Sequence, residues 1–289
     1  MRVKPYTLFV FLLPGFTIVG VLYYMLIWTG VVSTTDWIGM APVWKFAGFK
    51  NYIVLFHSPR FWTNLKNNMI WLVVFVVPTG FIGMILAYML DGLPRLSKFV
   101  RPIFFYPLVI APVVTATLWA WIFEPQNGVL NNLLSLMHLD FLKAGWIADP
   151  KIAIYCMIVA GIWQNFGFAL VLYTAAIGEI PRDHIDAAKV DGATSTQIFF
   201  HIVIPEISHA TIVVFSLLVL YTLKVFDLVW VMTGGGPGYA TEVLPYFMYR
   251  VTFRQLMVGE GAAIAMIILL MSFVVLVPIS KWMMERWAR

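Results

Sequence analysis

The residues able to do chemistry in this chain are few, and they stand apart from one another. Gly161-Ile162-Trp163-Gln164-Asn165-Phe166-Gly167-Phe168 sets two amides among aromatic rings near the midpoint of the apolar run 152–177. Tyr221, Thr222, Lys224 and Asp227 form a second polar group toward the end of the run 207–231. Amides exchange hydrogen bonds with hydroxyls, and the flat faces of Trp163 and Phe168 can stack on a polyhydroxylated ring, so the set suits reversible recognition of a hydroxylated solute. Hydrogen bonding between helices explains the same amides equally well, at about 1 kcal/mol. Lys224 and Asp227, three apart, lie on one helical face and can neutralise each other. Bond-making chemistry has no such provision. His57, His138, His184, His201 and His209 are scattered over different segments, and the single cysteine, Cys156, allows neither an internal disulfide nor a cysteine-based metal site. Thr233-Gly234-Gly235-Gly236-Pro237-Gly238 is glycine-rich, but no Gly-Lys-Ser/Thr follows, so it is a flexible helix terminus and not a phosphate loop.

The elements that must position these groups are membrane spans. With 61% hydrophobic and 11% charged residues among 289, the chain lies far outside the composition of a soluble domain. A span needs about 20 mainly apolar residues. Six segments qualify, near 7–30, 69–90, 102–123, 152–177, 207–231 and 261–282. The first is too long for a signal peptide and lacks a small-residue cleavage site. Pro107 and Pro112 permit kinks in the third. Six spans put both termini on one side, together with the loops 91–101 and 178–206. The basic residues of that side, Arg2, Lys4, Arg95, Lys98, Arg101, Lys281, Arg286 and Arg289 among them, make it the cytoplasmic one. The net charge of +5 is split between both sides, which argues against a nucleic-acid footprint.

One loop breaks the apolar pattern. Ile180 to Pro205 carries Asp183, Asp186 and Asp191 and reads as helix, turn, helix. Pro181 suits a first helical turn, Gly192 supplies the break, and Thr194 with Gln197 has the spacing of a capping box before Pro205 opens the next span.

Asp186-Ala187-Ala188, three residues, Gly192, and Ile202-Val203-Ile204-Pro205 together resemble the cytoplasmic loop of the permease subunits of ABC importers, with Asp in place of the usual Glu. Phe226-Asp227, Thr233 to Pro237 and Ala240-Thr241-Glu242 resemble the signature of the maltose and glycerol-phosphate type within that family. Phe46-Ala47-Gly48-Phe49-Lys50-Asn51-Tyr52, Arg60-Phe61-Trp62 and Asn67-Asn68 look like its entry into the second span, where Asn-Thr is the usual pair, and Gly259-Glu260-Gly261-Ala262-Ala263 fits the small-residue start of its last span. The resemblance implies an all-α integral membrane protein with six transmembrane helices, the type I importer fold, and a cytoplasmic coupling helix. Residues 1–65 would form an N-terminal helix and external connector, and 66–289 the core permease with its coupling loop at 178–206. It implies that Asp186, Ala187, Ala188, Gly192, Ala193, Phe199 and Pro205 meet an ATPase. It assigns Trp163, Gln164, Asn165, Phe168, Tyr221, Thr222, Lys224 and Asp227 to the path of a carbohydrate, and Thr233, Gly234, Gly235, Gly236 and Pro237 to an external gate. The implied partners are a second permease, two ATPase copies, an extracytoplasmic binding protein and the lipid bilayer of a prokaryotic inner membrane. The chain would bind no cofactor, ATP and Mg being the ATPase's. A secondary transporter is the rival, but Asp227 is the one clear acid within a span and no inverted repeat is visible. An embedded transferase would need paired acids or a nucleophile with a base, which the sequence does not offer.

Overall fold

The structure is a computed structural model that describes residues 5–42 and 45–287. Arg2, Lys4 and Arg289, used above for orientation, lie outside the described residues. Among those residues the chain is helical, with one isolated bridge, Thr35–Phe46, as its β pairing. In order come α1 (Pro5–Ser33), α2 (Lys50–His57), α3 (Pro59–Asp91), α4 (Pro94–Val109), α5 (Pro112–Ile122) and α6 (Val129–Leu136). There follow α7 (Ala153–Gly178), α8 (Arg182–Val190), α9 (Ser195–Ile198), α10 (Ile204–Glu206), α11 (Ser208–Lys224), α12 (Asp227–Met232), α13 (Leu244–Tyr249) and α14 (Val258–Trp287).

Four stretches of helix are long and apolar enough to cross a bilayer: 11–33, 59–91, 153–178 and 258–278. Two bent pairs qualify only when each is joined, giving four to six spans. Two expected spans are therefore corrected. The run 102–123 is broken, with α4 and α5 meeting at 98°. Pro112 lacks an N–H and crowds the residue before it, so Ile110 and Ala111 turn extended, with ψ of 133° and 137°. The run 207–231 stops at Lys224. Val225 and Phe226 leave the helix before α12 restarts at Asp227, so Lys224 and Asp227 do not share one helical face.

The chain divides into two compact units, 1–61 with 247–271 and 62–246 with 272–289. In the smaller, the Asn51 amide donates to the Ser33 and Thr35 carbonyls at 2.8 and 2.9 Å and so holds α2 on the end of α1. Small residues at the start of α14 have a packing reason. A Cβ on Gly259 would fall on the Thr35 carbonyl, and one on Gly261 on the Thr252 side chain. This places the motif 46–52 and the run 259–263 in one structural role.

In the larger unit α7 is the central helix, with Tyr173, Met157 and Leu170 fully buried. Glycines let its neighbours approach at backbone distance. A Cβ on Gly83 of α3 would lie 2.5 Å from the Ala169 Cβ and 2.8 Å from the Leu170 nitrogen. One on Gly167 would strike the Phe104 carbonyl of α4, and one on Gly161 would lie 3.0 Å from the Trp71 ring. α11 closes the group through Phe215 against Gly80 and Tyr221 stacked on Phe75 at 4.9 Å.

Candidate functional site

The polar loop folds by local rules. α8 opens after Pro181 and closes at Gly192, whose φ of +81° is the left-handed conformation open to glycine. The Ala193 N–H bonds the Ala188 carbonyl at 2.9 Å and the Gly192 N–H the Lys189 carbonyl at 3.1 Å, which makes a Schellman ending. The expected capping box is present. The Thr194 hydroxyl accepts from the Gln197 N–H, and the Gln197 side chain accepts from the Thr194 N–H. The second helix differs from expectation in its course. After Ile198 it widens to a π-turn over 199–203, and Pro205 lies within the short α10 rather than opening a span. Ile207 makes the break instead, with a 73° bend into α11.

This loop presents an open concavity of about 450 Å³ lined by Ala188, Gly192, Ala193, Gln197, Ile198 and His201. Val190 and Phe200 are exposed beside it, at 87% and 58%. Asp186 and Ala187 are exposed on α8, and Asp186 pairs with Lys189 at 3.1 Å. Phe199 is half-buried against Tyr88 of α3, with ring centroids 4.9 Å apart. Sequence reasoning missed the anchors. Arg182 forms a two-bonded pair with Asp91 at the end of α3, at 2.8 and 3.1 Å, and the Tyr88 hydroxyl donates to the Ser195 carbonyl at 2.8 Å. The Asp91 hydrogen bond and charge raise the Arg182 pKa further above its ordinary value.

The expected pathway residues do not form one cluster. Gln164 is 3% exposed and its Nε2 donates to the Ile110 carbonyl at 3.0 Å, the carbonyl that the break between α4 and α5 leaves without a helical partner. Asn165 donates to the Gly161 carbonyl at 2.9 Å, and its side chain approaches the Tyr221 hydroxyl. Both amides thus have internal partners, and Gln164 keeps a buried Oε1 with none. Trp163 packs edge-on against Trp119, and Phe168 is half-exposed. Thr222 is fully buried with its hydroxyl on the Val219 carbonyl, whereas Lys224 is exposed and Asp227 half-exposed. Replacing Gln164 by Leu leaves the part-buried Ile110 carbonyl without this partner, a loss of about 1–3 kcal/mol. The purified variant should melt several degrees lower, and an unchanged Tm would show that this carbonyl is satisfied without Gln164.

The glycine-rich run is not a flexible terminus, and this corrects the reading above. The Thr233 and Thr241 hydroxyls meet at 2.7 Å, Thr241 donates to the Gly236 carbonyl at 2.7 Å, and Thr241 and Glu242 are fully buried. Gly234 and Gly235 take φ of +59° and +84°, and a Cβ on Gly235 would press on Tyr246 and Glu242 at 3.1–3.2 Å. Three asparagines of α3 grip this loop. Asn64 donates to the Glu242 carboxylate at 3.0 Å, Asn67 to the Ala240 and Glu242 carbonyls at 3.0 and 2.7 Å, and Asn68 accepts from the Leu244 N–H at 2.8 Å. The pair Asn67-Asn68 was visible as a motif, but its partners, more than 150 residues away, were not.

Residues 79–289, well over half of the chain, match the family described as binding-protein-dependent transport system inner membrane component. The chain belongs to that family. It is an ABC transporter permease, a multi-pass protein of the inner membrane, and a transport subunit. It is similar to a probable ABC transporter permease protein of Pyrococcus horikoshii, 43% identical over 279 residues that cover 96% of this chain and 95% of the relative. The xylose/arabinose import permease protein XacH of Haloferax volcanii is 32% identical and covers 86% of this chain and 78% of its own length. Among solved structures, a chain of a bacterial alginate ABC transporter in complex with an alginate pentasaccharide-bound periplasmic protein matches with a TM-score of 0.82 at 25% identity, covering 95% of this permease and 92% of that chain.

Proposed function

We propose that this permease forms half of the translocation path of an ATP-driven importer for a carbohydrate, a sugar, oligosaccharide or polyol derivative. The observation that carries the reading is the exposed, doubly capped helical loop 182–206, a rigid polar projection from an otherwise apolar chain. A similar permease completes the path, two ATPase copies hold the loops of the pair, and an extracytoplasmic binding protein delivers the solute. The carbohydrate assignment is supported by the named substrates of the relatives, pentoses for one and alginate for the other. The ATPase contact is made by Asp186, Ala187, Ala188, Gly192, Ala193, Phe199 and Pro205. ATP and Mg stay with the ATPase, and this chain binds no cofactor of its own. The path is lined by Trp163, Phe168, Tyr221, Lys224 and Asp227, with Gln164, Asn165 and Thr222 behind them. Residues 233–237 close it on the external side. Six spans cross the membrane, each bent pair counting as one, and both termini are cytoplasmic. Residues 1–65 act as an N-terminal helix and connector to the core at 66–289.

Reconstitution tests the whole reading. Proteoliposomes carrying the permease pair and ATPase should take up labelled carbohydrate only with ATP and the binding protein, and uptake that follows an ion gradient without ATP would overturn it. Orientation has its own test. Gly238 is exposed in open space at φ +56°. A Gly238→Cys variant lacking Cys156 should react with an impermeant thiol reagent on intact cells, and labelling restricted to inverted membranes would reverse the topology.

A further inference from the structure

The two ends of α3 hold the two polar loops of the larger unit. At one end Asp91 binds Arg182 through both terminal guanidinium nitrogens, and Tyr88 holds the Ser195 carbonyl, so both helices of the loop 182–206 are fastened to it. At the other end the buried Asn64, Asn67 and Asn68 hold residues 240–244. That loop cannot shift independently of α3 without leaving several buried carbonyls and amides unpaired, each at about 1–3 kcal/mol. With 1.5 Å rise per residue, Asn64 and Asp91 are about 40 Å apart along the axis, the depth of a bilayer with its headgroups. Gly80 and Gly83 seat the middle of the helix on α11 and α7 so closely that a Cβ would overlap Phe215 at 2.7 Å and Ala169 at 2.5 Å.

We infer that α3 is the strut that carries movement of the cytoplasmic loop to the external loop 233–244, and that Asp91–Arg182 is the positioning contact at its inner end. The inference rests on the reading of 182–206 as the ATPase-docking loop. A planar guanidinium on a carboxylate fixes an angle as well as a distance, which is what transmission of a rotation needs. Arg182 is 59% exposed, so water screens the pair from that side although Asp91 is only 19% exposed, and its contribution to stability is modest. Its loss should therefore uncouple the protein without unfolding it.

Charge exchange separates these effects. Asp91→Arg and Arg182→Asp are made singly and together in the reconstituted transporter. Each single variant should retain the ATPase, yet lose binding-protein-stimulated ATP hydrolysis and uptake by about 10-fold, the size of an ordinary coupling energy. The double variant should recover both. A reporter at Gly238→Cys adds a readout that mere stability would not move. Its labelling rate should differ between nucleotide-free and ATP-trapped transporter, lose that difference in the single variants, and regain it in the double. Normal uptake in the single variants, or a double variant that inserts but does not recover, overturns the strut while leaving ATPase docking intact. A wild-type permease that retains no ATPase overturns the docking reading, and the strut with it.

Discussion

Gly192→Val and Asp186→Lys each leave the permease inserted in the membrane but release the ATPase and abolish coupled transport. Gly192 sits at φ +81° at the junction of α8 and α9, where a side chain meets no neighbour but the backbone itself is disfavoured. A non-glycine residue costs about 1–2 kcal/mol there, and a β-branched one more. The cheapest relief is to abandon the Schellman ending, which re-aims the capped helix. Asp186→Lys acts differently. The Asp186–Lys189 pair is about two-thirds exposed on each side and stabilises the fold by well under 1 kcal/mol. Its loss is small for this chain, but in a docked interface the new charge faces whatever basic group Asp186 met. A buried pair broken on one side costs about 3 kcal/mol or more, on the order of 100-fold in affinity. Co-purification of the ATPase and substrate-stimulated ATP hydrolysis read both variants, and wild-type values for both would sink the coupling assignment.

Gly167→Val removes the folded protein altogether. At this point α7 lies on α4 so closely that a Cβ would clash with the Phe104 carbonyl oxygen, with the Phe105 Cα at 2.9 Å. Those atoms are backbone and cannot rotate away, so the two helices must separate along a face that also holds Phe104 against Phe166 at 5.5 Å. Overpacking of this kind costs about 1–3 kcal/mol where side chains can yield, and more where they cannot. Gly178 is the control, since a Cβ there meets nothing within 4 Å. Gly178→Ala should extract and melt like the wild type, while Gly167→Val should appear as aggregate on size-exclusion chromatography. Equal monodispersity of the two would show that α4 and α7 are not in backbone contact.

What the sequence by itself determined is local in origin. The apolar runs and the polar loop at 180–205 follow from composition along continuous stretches, and the glycine stop and the Thr194–Gln197 box from residues within five positions of each other, where chain geometry leaves few alternatives. Pro107 and Pro112 announced a weakness, and the family signatures were legible as words. Only the tertiary structure decided what those words hold. Pro112 allows either a kink or a break, and the 98° turn is accompanied by a donor from Gln164, 54 residues away, to the Ile110 carbonyl. The glycine-rich run reads as flexible because glycine removes side-chain contacts, yet Thr241 ties it through Thr233 and Gly236, and three asparagines from another helix pin the residues that follow, 240–244. Lys224 and Asp227 look like a helical pair until the chain leaves the helix between them. In the first two cases a polar group held away from water must find a partner, and in a membrane protein that partner comes from another helix that no local pattern names.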